Sequence, residues 1–144
     1  DSKTGAISTD PENHDLMCHL RAEKVAKIPV PDVEVQGCAD DADLLIVGFG
    51  GTYGHLYSAM EEMNKAGKKV ALAHFTYLNP LPKNTETVLK KYKKVVVAEQ
   101  NLGQFAGYLR MKIDNFTPYQ FNEVKGQPFV VAELVAAFNK LIDN

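Results

Sequence analysis

Four short stretches carry the residue types that could do chemistry. The first is Gly48-Phe49-Gly50-Gly51-Thr52-Tyr53-Gly54, which lies between an apolar run and a helical pattern. Glycines at such a junction let the backbone turn tightly and present N–H groups at a helix N-terminus, which suits an anion. Gly50, Gly51, Thr52 and Tyr53 are therefore candidates for a cofactor or interface contact. Dinucleotide binding is excluded on two counts. The spacing is Gly-x-Gly-x-x-Tyr, so the third glycine is displaced. The next apolar run ends in Ala73-His74-Phe75-Thr76, without the acid that would hold a ribose diol. No Lys-Ser or Lys-Thr follows, so a phosphate-cradling nucleotide loop is excluded as well. A tight turn with Thr52 as the N-cap accounts for the same residues with no ligand at all.

The second stretch is His74-Phe75-Thr76-Tyr77-Leu78-Asn79-Pro80-Leu81-Pro82, where two prolines fix a rigid loop and Asn79 is the candidate contact. His74 falls within a strand pattern, where a hydrogen-bonded structural histidine is the reading set against a catalytic one. The third is Glu99-Gln100-Asn101-Leu102-Gly103-Gln104, polar immediately after the run Val95-Val96-Val97-Ala98. Asn101 and Gln104 fit a variant of the capping box, each side chain reaching the other's backbone N–H. Capping does not explain Glu99 and Gln100. All four residues stand as ligand or interface candidates. The fourth, Lys125 to Phe129, reads as a turn with Pro128 near the first position of the last helix.

His14 and Cys18 sit one helical turn apart with His19 adjacent, but a zinc site needs three or four ligands. No Cys-x-x-Cys occurs, so no iron–sulfur cluster is expected in this chain. No Ser-His-Asp or Cys-His arrangement follows from the spacing. No catalytic residue and no metal ligand is assigned.

These stretches are positioned by alternating strands and helices. Asp10-Pro11-Glu12 starts a helix to about Lys27, with a capping acid, a proline at the first position and a carboxylate near the positive end of the dipole. Leu16, Met17 and Leu20 form its apolar side, and Pro29 and Pro31 end it. A connector over 28–41 contains a short strand pattern at 33–35. Strands are expected at 44–47, 70–75 and 94–98, the first a continuous apolar run of the kind buried on both faces. Helices follow at 53–66, 84–92 and 102–113, with Gly67 as a C-cap. Residues 119–124 alternate weakly, as an edge strand. Val131, Leu134, Val135, Phe138, Leu141 and Ile142 then mark a last amphipathic helix. Such alternation demands right-handed crossovers and a three-layer α/β/α sandwich on a mostly parallel sheet. Ligands in such folds sit at the C-terminal strand ends, where the four stretches fall. The division expected is a linker with one helix over residues 1–41 and an α/β domain over 42–144.

Composition sets outer limits. Lys plus Arg is 16 against 18 Asp plus Glu, a net charge of −2, so neither a nucleic-acid surface nor an acidic tail is expected. The apolar runs are strand-length, far short of a membrane span. Two cysteines make no disulfide framework, which points to a reducing, cytoplasmic setting. The polar opening Asp1 to Thr9 reads as the middle of a linker, so the chain is expected to be one piece of a longer subunit; a processed N-terminus is the alternative.

Taken in order, Asp10-Pro11-Glu12-Asn13-His14, Arg21-Ala22-Glu23-Lys24, Asp41 to Gly54, Tyr77 to Asn84, Glu99 to Gln104 and Gly126-Gln127-Pro128-Phe129 resemble the C-terminal region of the α subunit of 2-oxoacid:ferredoxin oxidoreductases, nearest the 2-oxoglutarate type. The resemblance covers about residues 10–135. Phe49 stands where related sequences often carry Trp. The resemblance implies a transketolase C-terminal-like fold and, for the parent complex, conversion of 2-oxoglutarate and coenzyme A to succinyl-CoA and CO2 with reduction of ferredoxin. It also implies thiamine diphosphate, magnesium and iron–sulfur clusters in that complex, held outside this chain. The partners implied are the N-terminal domain of the same subunit, a β subunit and ferredoxin. The chain by itself is then an inactive assembly domain. A free-standing α/β domain binding an anion or coenzyme A is the alternative.

Overall fold

In the computed structural model, which describes residues 1–144, the chain runs α1 (Pro11–Ala26), β1 (Val35–Gly37), β2 (Leu44–Phe49), a 3-10 turn (Gly50–Thr52) and α2 (Tyr53–Lys65). It continues through β3 (Val70–Phe75), α3 (Thr85–Lys91), β4 (Val95–Glu99), α4 (Gln104–Lys112), β5 (Tyr119–Asn122) and α5 (Val131–Asp143). The sheet order is β1-β3-β2-β4-β5. Strands β2 to β5 are parallel, and β1 joins the edge antiparallel, with Val35 opposite Ala73.

The run Leu44-Leu45-Ile46-Val47 is fully buried because successive side chains enter opposite layers. Leu45 and Val47 meet Leu89, Phe105, Ala106 and Leu109 from α3 and α4. Leu44 and Ile46 meet Leu56, Met60, Met63, Leu134 and Phe138 from α2 and α5. Each such side chain contributes about 1.5–3 kcal/mol through burial, so the three-layer α/β/α sandwich follows from the two-sided apolar strands. Lys94, just ahead of β4, donates to the carbonyls of Leu141 and Ile142 at 2.8 and 2.9 Å, satisfying the last turn of α5.

Several elements begin or end where local chemistry overrides the apolar pattern. Strand β2 runs on through Gly48 and Phe49, because backbone pairing with His74 and Phe75 continues past the apolar residues. The first strand lies at 35–37 rather than 33–35; Val33 is instead held by Asn84, which accepts from its N–H and donates to its carbonyl, each at 2.9 Å. The sheet thus takes in residues ahead of 42. Helix α4 starts at Gln104 rather than 102, since Gly103 adopts φ +92° and Asn101 caps the turn. Helix α5 starts at Val131, three residues beyond Pro128, which therefore is not at its first position.

Helix α1 is the exception to layer packing. Asp10 accepts from the Asn13 N–H at 3.0 Å and Pro11 opens the first turn, as the sequence indicates. Yet none of its residues is buried.

Candidate functional site

Strands β3, β2 and β4 are neighbours and parallel, so the stretches that follow them share one edge. That edge brings together Gly50, Gly51, Thr52 and Tyr53 after β2, Asn79 after β3, and Glu99, Gln100, Asn101 and Gln104 around the end of β4. Phe105 anchors them from below. Its ring stands edge-on to Phe49 and to Phe75, each at 5.2 Å between centroids. Its N–H donates to Glu99.

Glu99 is fully buried, and its two carboxylate oxygens accept from the N–H groups of Phe105 and Ala106 at 2.6 and 3.0 Å. A carboxylate at the positive end of a helix satisfies orphan donors and neutralises the dipole. Its role in this fold is that of an interior cap on α4, reaching six and seven residues along the chain. Asn101 accepts from Gly103 and Gln104 at 2.8 and 2.9 Å, and the reciprocal bond from Gln104 does not form, so only half of the capping box exists. Gln100 donates to the Gln127 carbonyl at 2.6 Å, tying the edge to the turn before α5. Asn79 is exposed and accepts weakly from Tyr108 of α4 at 3.4 Å. Gln104 is exposed.

The turn after β2 departs from expectation at one residue. Thr52 is buried, and its hydroxyl donates back to the Phe49 carbonyl at 2.8 Å rather than capping α2. Gly50 adopts φ +61°, as a tight strand-to-helix junction needs. Gly50, Gly51 and Gly54 face open space, so the loop surface is accessible backbone.

Tyr53 faces sideways. Its ring lies 5.0 Å from His74 and its hydroxyl donates to Gln36 at 3.1 Å. These residues, with Thr76 and Tyr77, line a cavity of about 430 Å³ that Asp32 and Glu34 also line. No Lys or Arg lines it, and Asp32 and Glu34 form no ion pair, so an anion is repelled there. His74 Nε2 is buried with no hydrogen-bond partner. Burial holds the imidazole below its ordinary pKa, against a smaller opposing pull from the backbone of Gly50 and Phe49, so His74 is neutral at pH 7. Sequence reasoning gave His74 a satisfied structural role; the structure leaves one nitrogen unsatisfied. It also missed the cavity, because four separate chain segments build it. Leu102, 85% exposed at the same edge, was missed too: the helical pattern took it into α4, and its position next to Gly103 in the turn is the signal that could have found it.

No three His, Cys, Asp or Glu side chains converge anywhere. Cys18 is exposed and Cys38 half-buried in another part of the fold. Two cysteines do not supply the thiolate set of an iron–sulfur cluster. No helix is long and apolar enough to cross a membrane.

Comparison with known proteins places this geometry. The pyruvate:ferredoxin oxidoreductase core domain II family matches residues 42–131. The 2-oxoglutarate oxidoreductase subunit KorA of Mycobacterium tuberculosis is 45% identical over 133 residues, spanning 91% of this chain and 20% of that protein. The solved 2-oxoglutarate:ferredoxin oxidoreductase from Magnetococcus marinus, with 2-oxoglutarate, coenzyme A and succinyl-CoA bound, is similar with a TM-score of 0.81 and 29% identity, over 97% of this chain and 25% of that one. An inactive β4 tetramer of a split-gene transketolase shares the fold, with a TM-score of 0.57 and 19% identity over 81% of this chain and 44% of that one. The chain thus spans about a fifth to a quarter of KorA and of the Magnetococcus enzyme. The alpha chain of a probable 2-oxoacid ferredoxin oxidoreductase from Thermoplasma acidophilum, similar with a TM-score of 0.55 and 17% identity, is instead matched over 98% of its own length and 78% of this chain.

Proposed function

The chain belongs to the pyruvate:ferredoxin oxidoreductase core domain II family, and from that premise we propose that it is the C-terminal assembly domain of the α subunit of a 2-oxoglutarate:ferredoxin oxidoreductase. The parent complex converts 2-oxoglutarate and coenzyme A to succinyl-CoA and CO2, and the two electrons released pass to ferredoxin. The observation that carries the reading is the 45% identity to KorA along nearly the whole chain. Thiamine diphosphate, magnesium and the iron–sulfur clusters belong to other parts of that complex, which is cytoplasmic. The domain proper is residues 42–144 together with β1, and the rest of 1–41 is its linker and helix.

In this reading the sheet edge is a contact face. Gly50, Gly51, Tyr53, Asn79, Gln100, Asn101 and Gln104 meet the preceding N-terminal domain or the β subunit, and Thr52 and Glu99 hold the face in shape from within. Three large side chains, Tyr53, Tyr77 and Leu102, are exposed on this edge, the kind of apolar exposure that interfaces cover. The anionic cavity argues against a free-standing receptor for 2-oxoglutarate or the coenzyme A phosphates at that position.

The test is turnover with 2-oxoglutarate, coenzyme A and a viologen dye. The assembled α and β subunits are expected to reduce the dye and the 144-residue chain to be inert. Dye reduction by the chain alone would sink the proposal. Calorimetric binding of coenzyme A to the chain alone would favour the free-standing alternative.

A further inference from the structure

Helix α1 is well made and poorly covered. It has a capping acid, a proline at its first position, a side-chain contact between Asp15 and His19 and an ion pair between Glu23 and Lys27. Such pairs contribute only a few tenths of a kcal/mol each, and a 16-residue helix standing alone in water is marginal. Packing of an apolar stripe normally supplies the remainder. The stripe exists: at about 100° per residue, Leu16, Met17 and Leu20 fall on one side, with Cys18 roughly opposite. Nothing in the chain fully buries it: Met17 is half-buried, and Leu16 and Leu20 are 46% and 42% exposed.

The stripe leads to an apolar groove. Ile28, Pro29 and Val30 of the connector face Pro80 and Leu81 across a cavity of about 660 Å³. Lys27 and Lys83 stand at its rim and no acid lines it. Lys27 is paired with Glu23; Lys83 has no ion pair. Because β1 is antiparallel to β3, the connector reaches the sheet beside the C-terminal end of β3, at the same edge as the candidate contact face. The Magnetococcus enzyme aligns with 97% of this chain, which leaves too few residues unmatched to omit α1, inside a polypeptide about four times as long.

We infer that the α1 stripe and the Ile28–Leu81 groove form a docking surface for the remaining polypeptide of the same subunit, engaging an apolar segment that carries a carboxylate opposite Lys83. This rests on the reading of the chain as one domain of a longer subunit. Docking holds α1 in place and extends the contact face along one side of the molecule.

The test uses the full-length α subunit in its assembled complex, with Lys24→Cys as a thiol on the stripe and Cys18 as the reference on the opposite side. Maleimide labelling is followed by mass spectrometry, with the denatured complex as the fully reactive standard. The expected result is labelling at position 24 at least ten-fold slower than at Cys18, with the difference lost in Leu20→Asp. Equal rates at the two positions would overturn the inference. So would protection that vanishes when the β subunit is removed, or on dilution of α dimers, since the cover would then be another chain. Lys83→Glu should speed labelling at position 24, and no change there would remove the carboxylate. If no polypeptide longer than this chain exists, the reading beneath the inference fails; if one exists and position 24 labels freely, the inference alone fails.

Discussion

Helices α1 and α5 are of similar length, 16 and 13 residues, and are held in opposite ways. α5 buries Leu134 and Phe138 against the sheet, and its last carbonyls accept from Lys94. α1 has the better N-terminal cap and fully buries no residue. Capping decides where a helix starts, and burial decides whether it is part of the core. The region that looks most complete locally is therefore the one whose stability depends on something outside the chain.

This contrast can be broken by paired truncation. Phe138→Ala should cost the chain about 3–5 kcal/mol, as an aromatic lost from a packed layer. Leu20→Ala should change its stability by less than about 0.5 kcal/mol. Chemical denaturation of both variants would read this, and comparable losses would mean that α1 is packed after all. A smaller effect tests the body at its edge. Gly50→Val places a β-branched residue at φ +61° with open space around it, so only backbone strain acts, about 1–2 kcal/mol; an unchanged melting temperature would refute that. The smallest effect concerns pH. His74 has a folded pKa below its unfolded value, so the unfolded chain binds a proton first as pH falls. The stability tied to this group is complete above pH 6.5 and drains as pH drops below it. His74→Asn should flatten that slope in a melting series from pH 7.5 to 5, and an identical slope would show that His74 does not set it.

Much of the body was legible because burial on both faces writes itself into sequence. Leu44 to Val47 and the spacing from Val131 to Ile142 could hardly be placed otherwise. The edge was harder. Glu99 stood out as unexplained by local capping, yet its partners are N–H groups six and seven residues on, which become neighbours only when β4 and α4 pack. Thr52 has the chemistry of an N-cap, but a free carbonyl at Phe49 competes for its hydroxyl. The apolar side of α1 was visible as a pattern, and no pattern states whether a face is covered. The cavity beside His74 joins four segments and has no linear signature.

The short first strand has a further consequence. β1 joins β3 through three residue pairs, and Asn84 clips Val33 just ahead of it. Opening that small ladder would loosen α1 and its connector and uncover Val33, while β2 to β4 and the rest of both apolar layers keep their places. Dynamically, then, the molecule is a stiff plate with a latch, and the latch can yield on a timescale of local unfolding while the plate stays closed.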